Sequence, residues 1–201
     1  MKLYATPLSH FSRKIRILLA ELGIPFEWVQ TPGVMEPTVA TYGDNPLLRV
    51  PTLVDGEHTL IESDHIARYI VAKLDPRDWF GVTSVEVDAL NRLAVTNGVM
   101  ANEVTILLAK RGGLDIAGAV YFDKLATAIG QGLAWLDARI AQDAPFDYRD
   151  IALICMWQHV EHYGLVPALE RFPRIATRVA MFGDRPSVAT TTPAESKKLV
   201  S

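Results

Sequence analysis

The sequence predicts a small α/β domain followed by an all-α domain. Three observations carry this. Short apolar segments separated by turn residues, some with strand character, continue only as far as Leu74. Asp75-Pro76-Arg77-Asp78-Trp79-Phe80-Gly81 then reads as a linker punctuated by Pro and Gly. Beyond it strand signals nearly vanish and long stretches of helical periodicity take over. The boundaries set on this basis are 1–76 for the first domain, 77–84 for the linker and 85–201 for the helical domain.

Lys2–Ala5 is a short strand candidate. In residues 12–22, Ile15, Leu18, Leu19 and Leu22 recur at helical spacing, and Gly23 stands where a helix C-terminus wants glycine. Phe26-Glu27-Trp28-Val29 alternates and reads as a second strand. Residues 36–42 are weakly helical, bounded by Pro37 and Gly43-Asp44-Asn45-Pro46. Pro51-Thr52-Leu53-Val54 and His58-Thr59-Leu60-Ile61 flank Asp55-Gly56, which signals a hairpin. Glu62-Ser63-Asp64 opens a helix carrying Ile66, Tyr69, Ile70 and Leu74. In the second domain, residues 85–110 form one long helix, interrupted near its middle by Gly98 and ended by Arg111-Gly112-Gly113. Residues 120–142 form another, with Ile129, Leu133, Leu136 and Ile140 on one face. Asp147, with Asp150 three residues on, precedes an apolar run and marks a helix start where carboxylates satisfy free N–H groups.

Composition narrows the function classes. The chain has 201 residues, 49% of them hydrophobic, enough for one compact unit or two small domains. It has no apolar run of membrane-spanning length, and Met-Lys-Leu-Tyr leads directly into strand and turn rather than an apolar signal segment. The single cysteine, Cys155, forms no internal disulfide, which fits a reducing cytoplasm. A net charge of −3 with scattered basic residues argues against nucleic-acid binding.

Ser9-His10-Phe11-Ser12 sits where the first strand gives way to the first helix. The first four N–H groups of a helix lack intrahelical partners, and their dipoles sum to a partial positive charge. A hydroxyl there can donate to an anion, such as a thiolate, that the backbone also supports. The alternative is that Ser9 or Ser12 only caps the helix.

Four segments in register resemble the glutathione transferase family, and the resemblance covers essentially the whole chain. Lys2 to Arg16 looks like the family's first strand, active-site turn and first helix. Asn45-Pro46-Leu47-Leu48-Arg49-Val50-Pro51-Thr52-Leu53 is similar to its NPxGKVPTL segment. Ile61-Glu62-Ser63-Asp64-His65-Ile66 matches the acidic-Ser step before a helix, and Phe172-Pro173-Arg174-Ile175 with Arg185-Pro186-Ser187-Val188 matches a late pattern. The resemblance implies a thioredoxin-like first domain that binds glutathione and an all-helical second domain. It implies a cytoplasmic homodimer that conjugates glutathione to a hydrophobic electrophile in detoxification. Arg68, Tyr69 and Asn97 are candidate interface positions. Other reactions on the same site (isomerisation, peroxide reduction, dehalogenation) and a non-catalytic protein-binding module are the alternatives. No metal or cofactor is expected, since glutathione enters as substrate.

The same resemblance assigns roles. Ser9 takes the place of the family's active-site Ser or Cys, with Ser12 as the alternative. Tyr4 lies on the strand before the turn, and Cys155 is far along the chain, so tyrosine and cysteine mechanisms are disfavoured. Val50 offers its backbone to the cysteinyl part of glutathione, and Pro51 is expected to be cis. Glu62 is expected to take the γ-glutamyl ammonium and Ser63 its carboxylate, plain helix capping being the alternative for both. Arg49 falls where the family often has Lys, near the glycyl carboxylate, or is a solvated loop charge. Leu8, His10, Phe11, Met100, Glu103 and Ile106, with Thr105, are candidates for the electrophile pocket, or are ordinary core. The chain departs from the family at Leu48, where Gly is usual, and at Arg178, where Trp is common.

The chemistry needs little equipment. A thiol is mostly un-ionised at neutral pH and must become a thiolate to attack. A charge-assisted hydrogen bond contributes about 1.5–3 kcal/mol. At ~1.36 kcal/mol per unit, this lowers a thiol pKa by about one to two units. A helix N-terminus adds about 0.3–1 kcal/mol. Cys155, His159 and His162 share a helix face at zinc-like spacing, but Leu153, Met156, Trp157 and Val160 make that helix a core element without an evident fourth ligand.

Overall fold

The computed structural model describes residues 1–199. Its contacts divide the chain into two compact units, Met1–Thr83 together with the segment from Asp184 onward, and Ser84–Gly183.

The first unit holds a four-stranded sheet in the order β2-β1-β3-β4, built from β1 (Lys2–Ala5), β2 (Glu27–Gln30), β3 (Thr52–Asp55) and β4 (His58–Ile61). β1 and β2 run parallel, joined through α1 (His10–Glu21), whereas β1–β3 and β3–β4 are antiparallel. The Asp55-Gly56 hairpin forms as the sequence predicts, with Gly56 at φ 62°. α2 (Ser63–Leu74) packs against α1, with Ile66, Ala67 and Ile70 fully buried beside Ile15, Leu18 and Leu19. Helix α1 begins two residues earlier than its apolar spacing suggests, because Ser9 rather than Ser12 caps it. Gly23 follows the helix at φ 65°, the left-handed geometry that favours glycine. The weakly helical stretch is a single 3₁₀ turn, Val39–Tyr42, anchored by the Tyr42 hydroxyl donating to the carbonyls of Gly33 and Glu36.

The helical domain expected over 85–201 does not extend that far in the structure, and its residues 200 and 201 lie outside the described ones. Residues 184–199 belong to the first unit, and the reason is polar as much as apolar. α7 (Pro186–Ala189) packs on α1, and the buried Arg13 donates to the Val188 carbonyl and the Thr191 hydroxyl at 3.1 Å each. At the other end of α1, Arg185 donates to Glu21 from Nε (3.0 Å) and Nη2 (2.5 Å), and the Ser187 hydroxyl donates to the same carboxylate. α8 (Pro193–Lys197) follows, with Ser196 accepting from Arg16.

The second unit is helical. α3 (Val87–Arg111) runs unbroken through Gly98, where the sequence suggested an interruption. α4 (Val120–Asp137) lies against it, and a Cβ at Gly132 would stand 2.6 Å from Val99 Cγ2, so this close approach requires glycine. α4 ends five residues short of its expected end. Its apolar periodicity continues through a hydrogen-bonded turn that still buries Ile140. Asp137 meanwhile turns to accept from the backbone N–H groups of Arg174 and Ile175, capping α6 (Pro173–Phe182). α5 (Tyr148–Tyr163) starts with the expected capping box, Asp147 and Asp150 each accepting from the other's backbone N–H. Arg178, which the sequence left without a role, is buried on α6 and grips both oxygens of Asp150 at 2.9 and 2.7 Å. Its guanidinium also donates to the Gln142 and Pro145 carbonyls.

Two predictions follow from these ion pairs. Removing Arg178 leaves Asp150 buried and uncompensated, a class of change that costs about 3–5 kcal/mol. Arg178→Met therefore lowers the thermal midpoint by roughly 6–20 °C, measured by circular dichroism. Glu21 is pushed up by burial, but the Arg185 and Ser187 hydrogen bonds and the Arg185 charge outweigh this and hold it below its ordinary 4.5. A lowered carboxylate stabilises the fold above its unfolded value and loses that contribution as pH falls through the folded value. Glu21→Gln accordingly destabilises by about 1–2 kcal/mol at pH 7. The gap to the parent closes below pH 4.5, as denaturant titrations across pH would read.

Candidate active site

Sheet register brings three loops to one end of the first unit. Tyr4 pairs with Thr52, and Thr52 pairs with Ile61. The end of β1, the start of β3 and the end of β4 therefore lie side by side. The segments attached there are 6–9, 49–51 and 62–63, so the loops carrying Ser9, Val50-Pro51 and Glu62-Ser63 leave the sheet at the same end. The described cavity of about 490 Å³, lined by Glu21, Leu22, Leu74, Asp75, Trp79 and Phe80, is at the C-terminal ends of α1 and α2, away from these loops.

Ser9 is half-buried with extended backbone (φ −70°, ψ 114°), and its Oγ accepts from the Ser12 N–H at 3.1 Å. Capping uses the oxygen as acceptor, so the hydroxyl proton remains available to donate. Capping and thiol activation are thus compatible rather than exclusive. Ser12 is fully buried, and its Oγ has no hydrogen-bond partner among the described residues. Of the two serines offered as caps, only Ser9 caps α1. His10 is buried, with its ring 4.8 Å from that of Phe11, which rules out a solvated imidazole.

The Val50–Pro51 bond is cis, as the resemblance implied. The loop before it is pinned by Asn45, a buried side chain that sequence reading treated only as part of a motif. Asn45 Nδ2 donates to the Arg49 carbonyl (2.9 Å) and the Thr52 hydroxyl (3.2 Å), while its Oδ1 accepts from Leu47 N–H (3.0 Å). All of its amide functions serve this loop. Leu48 sits at φ 52°, in the left-handed region, which explains why glycine suits the position. Arg49 is exposed.

Glu62 has φ 73° and ψ 126°, a backbone conformation costly for a residue with a Cβ. Its carboxylate caps α2, accepting from Asp64 N–H at 2.9 Å and from the Ser63 hydroxyl at 3.1 Å. Ser63 is buried and Glu62 exposed, so the carboxylate remains open to a further donor while capping. The buried Lys14 reaches across from α1 to Asp64 at 2.7 Å, linking the two helix starts.

The electrophile-pocket candidates divide between the units. Leu8, His10 and Phe11 lie at the start of α1, and Met100, Glu103 and Ile106 lie on α3. Within the second unit Glu103 Oε2 stands 2.5 Å from His159 Nδ1, and burial pushes its carboxyl well above the ordinary range. A protonated Glu103 can donate to a neutral imidazole in that contact. His159 is buried. It pairs with Glu103, while Cys155 is a buried free thiol and His162 is exposed.

Residues 3–77 match the family model described as glutathione S-transferase, N-terminal domain. A maize (Zea mays) protein, glutathione S-transferase 3, is 38% identical over 77 residues, which is 36% of this chain and 34%, about a third, of that protein's length. Among solved structures, a glutathione S-transferase from Methylobacterium radiotolerans in complex with glutathione sulfonate superposes with a TM-score of 0.80 at 25% identity, covering 96% of this chain and 94% of that one. A glutathione transferase family member from Pseudomonas fluorescens Pf-5 with bound glutathione gives a TM-score of 0.76 at 26% identity, over 96% and 98% of the two chains. Residues 3–77 thus form a glutathione S-transferase N-terminal domain, and the fold of the whole chain, a thioredoxin-like first unit and a helical second unit, is the one these glutathione transferase structures have. No helix among the described residues is long and apolar enough to cross a membrane.

Asn45→Ala strips three hydrogen bonds from the loop that presents Val50. An unsatisfied buried partner costs about 1–3 kcal/mol. The thermal midpoint falls by roughly 2–12 °C, and amide exchange at Leu47 accelerates, which hydrogen–deuterium exchange would report.

Proposed function

We propose that this chain is a glutathione transferase in which the Ser9 hydroxyl stabilises the glutathione thiolate for attack on an electrophile. The observation that carries this reading is the bonding state of Ser9: half-buried at the start of α1, accepting from Ser12 N–H, with a proton left to donate. In this reading Glu62 and Ser63 hold the γ-glutamyl end, the Val50 backbone holds the cysteinyl part and Arg49 lies toward the glycyl carboxylate. The strained Glu62 backbone supports a functional role, since such geometry concentrates at binding sites. The sulfur sits at the N-terminus of α1, where backbone dipoles favour an anion. Holding the electrophile beside it supplies much of the remaining acceleration. Leu8 and Phe11, adjoining Ser9, favour a hydrophobic co-substrate. A cytoplasmic homodimer is part of the same proposal. The exposed Val85, Val87 and Leu90 at the start of α3 support a self-association face.

Ser9→Ala leaves glutathione binding within about threefold, because the ends of the tripeptide are held elsewhere. It raises the bound thiol's pKa by about one to two units, and conjugation near neutral pH falls in proportion, recovering as pH rises. Ser12→Ala does much less. Thiolate absorbance of bound glutathione against pH, for the parent and both variants, is the measurement. A shift with Ser12→Ala alone moves the role to Ser12, and no shift in either variant removes the hydroxyl from the mechanism.

A further inference from the structure

The geometry points to Lys14 and Asp64 as positioning residues that set the spacing between the thiol end and the γ-glutamyl end of the bound tripeptide, an inference that rests on the glutathione reading above. Lys14 is fully buried, and its ammonium meets Asp64 Oδ1 at 2.7 Å. Burying an ammonium is costly unless it is paired, and apolar side chains of similar volume usually stabilise as well as a buried pair does. Stability alone therefore gives little reason for a lysine here. Its placement gives a better one. Lys14 lies five residues after Ser9 on α1, and Asp64 lies in the first turn of α2, two residues after Glu62. The Asp64 backbone N–H also holds the Glu62 carboxylate at 2.9 Å. One residue thus fixes Glu62 through its main chain and α1 through its side chain. The Lys14 ammonium also lies 5.5 Å from the Phe11 ring, within the turn that carries Ser9.

A tripeptide held at its γ-glutamyl end has its sulfur at a set distance from that anchor. If the two helix starts shift relative to each other, the anchor still binds, but the sulfur moves off the Ser9 hydroxyl. The loss then appears in thiol ionisation and turnover rather than in affinity, since small misplacements cost rate steeply. A pair that served only stability would lower the melting temperature and leave the bound thiol's pKa unchanged in the folded protein.

Lys14→Met, Asp64→Ala and the double variant test this. Met matches the lysine stem, and Asp64 left alone remains partly solvated at a helix N-terminus, where a carboxylate is favoured, so Lys14→Met is expected to fold. The expected result is glutathione affinity within about threefold of the parent, a bound-thiol pKa raised by about one unit, and kcat near neutral pH down about tenfold with KM for glutathione unchanged. The double variant is no worse than either single variant, the mark of one shared interaction. Should Asp64→Ala fail to fold because it strands the lysine, Lys14→Met decides alone. A folded Lys14→Met protein with parental thiol pKa and kcat overturns the inference and leaves the glutathione reading intact. A Lys14→Met chain that cannot fold makes the pair a stability element and also overturns it. A parent protein that neither binds nor ionises glutathione overturns both readings together.

Discussion

A helix start is a set of backbone donors in search of acceptors, and the first unit is organised around two of them. The register of β1, β3 and β4 forces α1 and α2 to begin at the same end of the sheet. Each start is met by a side chain from the residue just before it, Ser9 for α1 and Glu62 for α2. A cap satisfies only some of the free N–H groups, and the remainder keep the local potential positive. The place where this fold is least self-sufficient is therefore the place where an anionic ligand fits.

The sequence reading was most accurate where chemistry is local. The Asp55-Gly56 hairpin, the left-handed Gly23 and the Asp147–Asp150 box each depend on a few adjacent residues, and each is present. Element ends were less legible. Ser12 looked as good a cap as Ser9, because a hydroxyl's partner depends on which peptide turns first. The end of α4 was invisible because its apolar period runs on through a turn to Ile140, while Asp137 is recruited by α6, far along the chain. Asn45 was read as motif punctuation, although its amide bonds to Leu47, Arg49 and Thr52 shape the Val50 loop. That pattern is local enough to have been foreseen from an Asn two residues before Leu47.

Charged residues inside the units were the least legible. Arg178 and Glu103 fall in register with buried neighbours, Ile175 and Val179 for one and Met100 and Ile106 for the other, but a charged residue on an apolar face does not name its partner. Both are buried because a partner distant in sequence makes burial tolerable: Asp150 for the arginine and His159 for the glutamate. Arg178 also closes a capping system, since the carboxylate it grips is the one that accepts from Asp147 N–H. The start of α5 is thus secured by a side chain of α6 whose guanidinium meets four acceptor atoms, two on Asp150 and the carbonyls of Gln142 and Pro145.

The return of residues 184–199 to the first unit bears on how the chain can be synthesised. The sheet and its two long helices emerge from the ribosome early, but Arg13, buried in α1, finds Val188 and Thr191 only after the whole helical unit has been made. At a translation rate of about 5–20 residues per second, the 175 residues that separate Arg13 from Val188 impose a wait of roughly 9–35 seconds. Throughout that interval a guanidinium destined for the interior lacks these acceptors, and the flank of α1 that α7 will cover stays open. The two units are separable in space but not in time, and the first to be started is the last to be finished.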